Sequence, residues 1–212
     1  MNSKQDLAEY WIRNGIIKDN RVIKAFMHVK RELFVSEEYK LHAYGDYPVP
    51  IPGGQTISQP TTVMMMTEAL DVKIGNKILE VGAGSGYQAA ILSKLVGNNG
   101  KVITTEIVEE LIDYANSNIN RAGIKNVKII HYDGSQGYSK EAPYDRIIVT
   151  AACPSMPEPL VKQLKENGII VAPIGSRYSQ EVIKGRKIKD ELVTETLGDF
   201  VFVPLRGKYG FD

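Results

Sequence analysis

The period of the apolar positions changes near residue 77. Before it, Leu7, Trp11, Ile12, Ile16, Val22, Ile23, Phe26, Val29, Leu33 and Phe34 recur at helix-like intervals, so residues 3 to about 42 read as helical. The stretch YPVPIP, residues 47–52, must be extended, because proline fixes its own φ and pushes the preceding residue out of the α region. GGQTISQP follows at residues 53–60, and Pro60 stands where a first helical position tolerates proline, opening the run TTVMMMTEAL. From Lys77 onward KILEV, KVITTE, VKIIHY, DRIIVTA and GIIVAP are short, β-branched, nearly continuous apolar runs, as expected of strands buried on both faces. Residues 87–96, 108–122 and 158–167 read as helices between them.

This alternation predicts an α/β fold: a doubly wound, mainly parallel, Rossmann-like sheet joined by right-handed crossovers. After Pro173, EVIKGRKIKDELVTETLGDFVFVPL reads as two or three further strands, antiparallel at the sheet edge. We expect one domain, with residues 1–60 as a helical cap and substrate loop, 61–175 as the α/β core and 176–212 as C-terminal strands.

Composition narrows the classes of partner. The chain has 212 residues, 43% hydrophobic and 24% charged, enough for a sizeable core. A formal net charge of +1 offers no electrostatic case for nucleic acid or for an anionic membrane surface. No apolar run approaches the roughly 20 residues that span a bilayer, and the N-terminus lacks a signal-peptide layout, so a cytoplasmic protein is expected. Cys153 is the sole cysteine, and three scattered histidines add no metal-ligand spacing, so no metal is expected.

The strongest chemical signal is ILEVGAGSGYQAAIL. A strand runs into Gly82-Ala83-Gly84-Ser85-Gly86 and a helix starts at once, a turn that lets a nucleotide lie against bare backbone. A dinucleotide fingerprint would continue GxGxxG, and Glu80 just before the loop would repel a pyrophosphate. Glu106 ends the next strand, where a carboxylate can accept ribose hydroxyls; Asp133 with Gly134 follows the third and can take an adenine amine. A nucleoside with a cationic tail fits this set, and S-adenosylmethionine (SAM) has that chemistry.

Here the chain resembles the protein-L-isoaspartate O-methyltransferases over nearly its whole length. AFMHVKRELFV, the YPVPI lead-in to GQTISQP, MTEAL, ILEVGAGSGYQAAIL, DGSQGY, EAPYDRIIVTAA, QLKENGIIVAPIG and the tail FVPL carry the resemblance. The glycine loop says only SAM methyltransferase; GQTISQP upstream of it is far more specific. The chain departs from the family's usual residues at Pro52-Gly53, at Cys153 and at Leu205-Arg206-Gly207. The resemblance implies SAM-dependent methyl esterification of the α-carboxylate of isoaspartyl residues in damaged proteins and peptides. The ester then cyclises spontaneously to a succinimide. It also makes Ser58 the active-site serine, with Gln55, Thr56, Ile57 and Ile107 joining Glu80, residues 82–86, Glu106, Asp133 and Gly134 around the cofactor.

On this reading the acceptor arrives ionised and no general base is needed, so His28, His42 and His131 are expected to be structural. The helix opening at Pro60 is expected to attract the carboxylate, Gly53 and Gly54 to let the loop move as a lid, and Met64-Met65-Met66 to be core. Ser58 has a plainer reading too, as a helix N-cap. Two rival functions remain open at this level. One keeps SAM and methylates a small molecule or RNA base, although VTAACPSMP lacks the aromatic-proline motif expected of base methyltransferases. The other is a non-catalytic SAM-binding module.

Overall fold

The computed structural model describes residues 3–211. The N-terminal apolar series is divided between α1 (Lys4–Arg13) and α2 (Asn20–His28), followed by two 3-10 turns, Arg31–Leu33 and Glu37–His42, rather than continuing as helix to residue 42. The division has a local cause. Gly15 takes a left-handed φ of 63°, and the Asp19 side chain caps α2 by accepting from the Arg21 N–H. Successive helices packing on one core keep the same apolar spacing, so periodicity alone does not reveal the break.

The proline-rich stretch forms a hairpin: β1 (Val49–Ile51) pairs antiparallel with β2 (Gln55–Ile57) across a Pro52–Gly54 turn. Gly53 and Gly54 have φ of 67° and 66°, the left-handed region this turn requires. A Cβ on Gly53 would stand 3.2 Å from Val108 Cγ1, so this side of the hairpin tip packs on its neighbour, whereas nothing lies within 4 Å of a Cβ placed on Gly54. Then come α3 (Pro60–Ala69), β3 (Lys77–Val81), α4 (Tyr87–Val96), β4 (Lys101–Glu106), α5 (Glu109–Arg121), β5 (Val127–His131) and β6 (Tyr144–Val149).

The last helix, α6 (Glu158–Gln163), is shorter than the 158–167 expected. From Leu164 the chain is already pairing with Tyr144, and Asn167 at φ 62° followed by Gly168 carries it through a register shift into the long strand β7 (Leu164–Gly175). The edge hairpin, β8 (Gln180–Ile188) and β9 (Glu191–Phe200), is antiparallel, as expected.

The main sheet has seven strands in the order β5-β4-β3-β6-β7-β8-β9, parallel up to β7. Alternate residues of each strand serve opposite cores. Ile78, Val102 and Ile148 face the larger core with α1 to α5, and Leu79, Ile103 and Ile147 face the smaller one with Leu160 of α6. Strands β4 and β5 lie on one side of β3 and β6 lies on the other. The chain therefore reverses direction at β3, and the carboxyl end of β3, where the glycine loop begins, is the crevice in which such sheets bind ligands.

Candidate active site

Three hollows meet above the carboxyl ends of β3, β4 and β6. The first cleft is bordered by Gln55, Thr56, Gly82, Gly84, Glu106, Ile107, Tyr132 and Gly134, and its far wall is the tail, Val203 to Arg206. A second cleft holds Ile57, Ser58, Glu80, Ala83, Ser85, Met66, Tyr87 and Phe202. An outer groove is lined by Pro48, Gln59, Asp199 and residues 200–203. Thr56 and Thr150 border all three, and Ser58 borders the second cleft and the groove.

Glu106 is 6% exposed and anchors the glycine loop. Its Oε2 accepts from the Gly84 N–H at 2.9 Å, and its Oε1 accepts from Ile107 and Val108 at 2.9 and 3.0 Å. A carboxylate has about four acceptor sites, so one remains for a ribose hydroxyl, not the two that strand-end position alone suggested. Glu80 is the opposite case. It is fully buried, and neither carboxylate oxygen has a hydrogen-bond partner, although Thr104 lies opposite on β4. Burial pushes its carboxyl up to about 8; the nearby Thr104 hydroxyl pulls it partly back, and the negative charge of Glu106 adds to the push. A carboxyl raised this far is largely protonated at neutral pH in the free protein, and a ligand that brings a cation would favour its ionised form.

Asp133 follows β5 as expected, and its carboxylate is engaged within the protein. Its Oδ1 accepts from the Ser135 N–H and hydroxyl, and its Oδ2 from Gln136 Nε2 and the Lys208 N–H. Those bonds fill its acceptor sites and hold its charge on a tight turn; they also hold its pKa below the ordinary value against the opposing effect of burial. Tyr132 and Gly134 on either side border the first cleft, whereas Asp133 latches the tail. Gly86 also stands back from the clefts. With φ 84° it packs against α5, where Ile119 lies 3.2 Å from the site of a Cβ.

Ser58 is half-buried, and its hydroxyl makes no hydrogen bond among the described residues. It does not cap α3. That task falls to Asp46, whose Oδ1 accepts from the Thr61 N–H at 2.9 Å and whose Oδ2 accepts from the Thr61 hydroxyl at 2.7 Å. The positive end of α3, expected to attract the acceptor, is therefore already answered by a carboxylate. Trp11, read as core, is fully buried and donates to Thr61 Oγ1 at 2.7 Å. Met64 is core at 0% exposure, and Met66 also borders the second cleft. His28, His42 and His131 are exposed and border none of these hollows.

Several site residues escaped the sequence reading. Thr150 ends DRIIVT at the carboxyl end of β6, the kind of position that pointed to Glu106, and could have been chosen by that rule. The tail gave no such sign. Val203 to Arg206 reach the first cleft because Ala152 bridges Pro204 and the Asp133 turn holds Lys208.

Sheet order, glycine loop and the paired acidic positions define the class: this is a SAM-dependent methyltransferase with a Rossmann-like core. The model of the protein-L-isoaspartate(D-aspartate) O-methyltransferase family matches residues 2–210, and the chain belongs to that family. It is 50% identical over 200 residues to the protein-L-isoaspartate O-methyltransferase of Methanothrix thermoacetophila, covering 94% of this chain and 93% of the relative. The enzyme of the same name from Methanococcoides burtonii is 47% identical over 193 residues, covering 91% and 95%. Among solved structures, a Plasmodium falciparum protein-L-isoaspartate O-methyltransferase in complex with S-adenosyl-L-homocysteine matches with a TM-score of 0.84 at 31% identity, covering 97% of this chain and 99% of that one.

Proposed function

We propose that this protein methylates the α-carboxylate of L-isoaspartyl residues in damaged proteins and peptides, with Ser58 receiving that carboxylate where the clefts meet. The observation that carries the role of Ser58 is its free hydroxyl at the boundary of the second cleft and the outer groove. SAM, when bound, supplies a methyl group on a positively charged sulfur. The chain has to hold two reactants and keep water away. Glu106 takes a ribose hydroxyl with its remaining acceptor site, Glu80 pairs with the ammonium of the methionyl tail, and Ile57, Met66 and Phe202 give the reacting region apolar walls. An α-carboxylate of pKa about 3.5 is ionised at neutral pH, so no side chain need remove a proton. Alignment of nucleophile and methyl within a dry site is then the main source of rate.

The groove beside Ser58 opens along the extended segment at residues 200–203, which suits an unfolded or flexible stretch of substrate. A formal net charge of +1 offers a nucleic acid little overall attraction, in keeping with a protein substrate. Among the described residues no helix is long and apolar enough to cross a membrane. A reducing cytoplasm suits the buried free thiol of Cys153. The deciding assay compares an isoaspartyl peptide with its aspartyl twin. Saturable methylation of the first alone supports the reading; equal labelling of both, or methylation of RNA only, overturns it.

Turnover is expected to be independent of histidine. Replacing His28, His42 and His131 one at a time should leave the rate at saturating substrate within a few-fold and remove no limb from its pH profile. A folded, SAM-binding variant that loses more than about a hundredfold would contradict this, since that is the size of a general-base effect.

Glu80 makes stability depend on pH in a direction that can be checked. A carboxyl raised in the folded state contributes stability that is fully present below its unfolded pKa of about 4.3 and is lost as pH rises through about 8. Glu80→Gln cannot ionise. It should match the wild type in thermal unfolding near pH 4, exceed it near pH 9, and bind SAM about tenfold more weakly because an amide does not pair with an ammonium. Parallel unfolding curves for the two proteins from pH 4 to 9 would refute the assignment.

A further inference from the structure

Among the described residues Arg31 is the largest charged side chain that is fully buried, at 0% exposure, and nothing in the chemistry above uses it. Its Nε donates to the Ala43 carbonyl at 2.7 Å and its Nη2 to the Ser58 carbonyl at 2.8 Å. Its Nη1 has no partner, and no carboxylate lies within ion-pair distance among the described residues. The guanidinium lies over the Tyr87 ring, 5.0 Å from its centroid, and Tyr87 is the first residue of the helix that follows the glycine loop. One cation thus touches both the serine proposed to meet the acceptor and the helix into which the cofactor loop runs.

A buried charge with no ion-pair partner, only the more distant attraction of Asp46, is costly, and an apolar side chain of similar volume would brace the same space more cheaply. Burial lowers the guanidinium to about 10, so it remains charged at neutral pH. The usual source of positive potential here, the N-terminus of α3, is already answered by Asp46.

We propose that Arg31 is a positioning residue for methyl transfer: it fixes the Ser58 main chain through the carbonyl and sets an unpaired positive charge behind the place where the acceptor carboxylate docks. The inference rests on the role given to Ser58 above. The guanidinium fork is what the geometry requires, because it reaches two carbonyls at once; an ammonium supplies the charge without the fork.

The test uses Arg31→Gln, Arg31→Lys and Ser58→Ala in the full chain, with SAM affinity measured by calorimetry and kcat and KM measured for an isoaspartyl peptide. Arg31→Gln is expected to lower peptide kcat/KM by about 10- to 100-fold, the scale of a small misplacement of reacting groups, while SAM affinity stays within about threefold. Arg31→Lys should lie between Arg31→Gln and wild type. Combined with Ser58→Ala, Arg31→Gln should cost far less than it does alone, because both changes disable one unit. Wild-type peptide kinetics in Arg31→Gln or Arg31→Lys overturn the proposal, even if unfolding temperature falls, since a purely structural brace predicts that result. Full additivity with Ser58→Ala overturns it too, leaving Ser58 untouched. If Ser58→Ala is itself fully active, the serine reading fails and positioning through Ser58 fails with it. If Arg31→Gln does not fold, Arg31→Lys decides, with a loss of about tenfold in its favour and none against it.

Discussion

Glu106→Ala is expected to weaken SAM binding by roughly 1–3 kcal/mol, the range for lost charge-assisted hydrogen bonds, and to lower stability in the same protein. The double effect follows from the geometry. The Glu106 carboxylate holds the N–H groups of Gly84, Ile107 and Val108 while keeping one acceptor site for the ligand. Removing it strands buried donors and releases the glycine loop that shapes the cleft. Glu106→Gln is the informative companion. Its carbonyl oxygen can still serve Ile107 and Val108, but its NH₂ faces the Gly84 N–H, donor against donor. Loop order should therefore suffer less than affinity. Calorimetry showing unchanged SAM affinity in Glu106→Ala would sink the assignment.

Ser58→Ala should reduce turnover on an isoaspartyl peptide by about 10- to 100-fold, equivalent to the roughly 1.5–3 kcal/mol of a hydrogen bond to a charged group. Stability and SAM affinity should barely move. This separation is sharper than the sequence allowed, because the cap reading of Ser58 has lost its basis: Asp46 supplies the side-chain acceptor at the start of α3 and the serine hydroxyl is unpaired. The cap test therefore belongs to Asp46. A Ser58→Ala protein that methylates at the wild-type rate would leave the GQTISQP segment without a chemical role.

The two carboxylates beside the glycine loop show why an identical residue type at a strand end needs its surroundings described. Glu106 is ordered by three backbone donors and serves as a fixed acceptor. Glu80, on the preceding strand and with only the Thr104 hydroxyl near it, is raised by burial; in the role proposed for it, it pairs with a cation. In the proposed reading a single cofactor bearing a diol and an ammonium satisfies both, a pairing that a dinucleotide would not offer.

Much of this protein was legible before any coordinates, and the reasons are local. Buried parallel strands are β-branched runs, so KILEV, KVITTE and DRIIVT marked β3, β4 and β6. The glycine loop and Glu106 followed from where those strands end. Helix ends were less legible: a left-handed Gly15 separates α1 from α2 without interrupting the apolar period, and α6 stops at Gln163 because Leu164 already pairs with Tyr144. The tertiary structure alone decided the rest. Asp46 caps a helix 15 residues further on, and Arg31 reaches across 27 residues to the Ser58 carbonyl. Asp133 is filled by Lys208, 75 residues away, and so latches the tail that walls the cofactor cleft. Periodicity, caps and turn residues report interactions within a few residues along the chain. A hydrogen bond closed over a long loop depends on which surfaces the packed sheet brings face to face, and that is set by the two cores together rather than by any segment read alone.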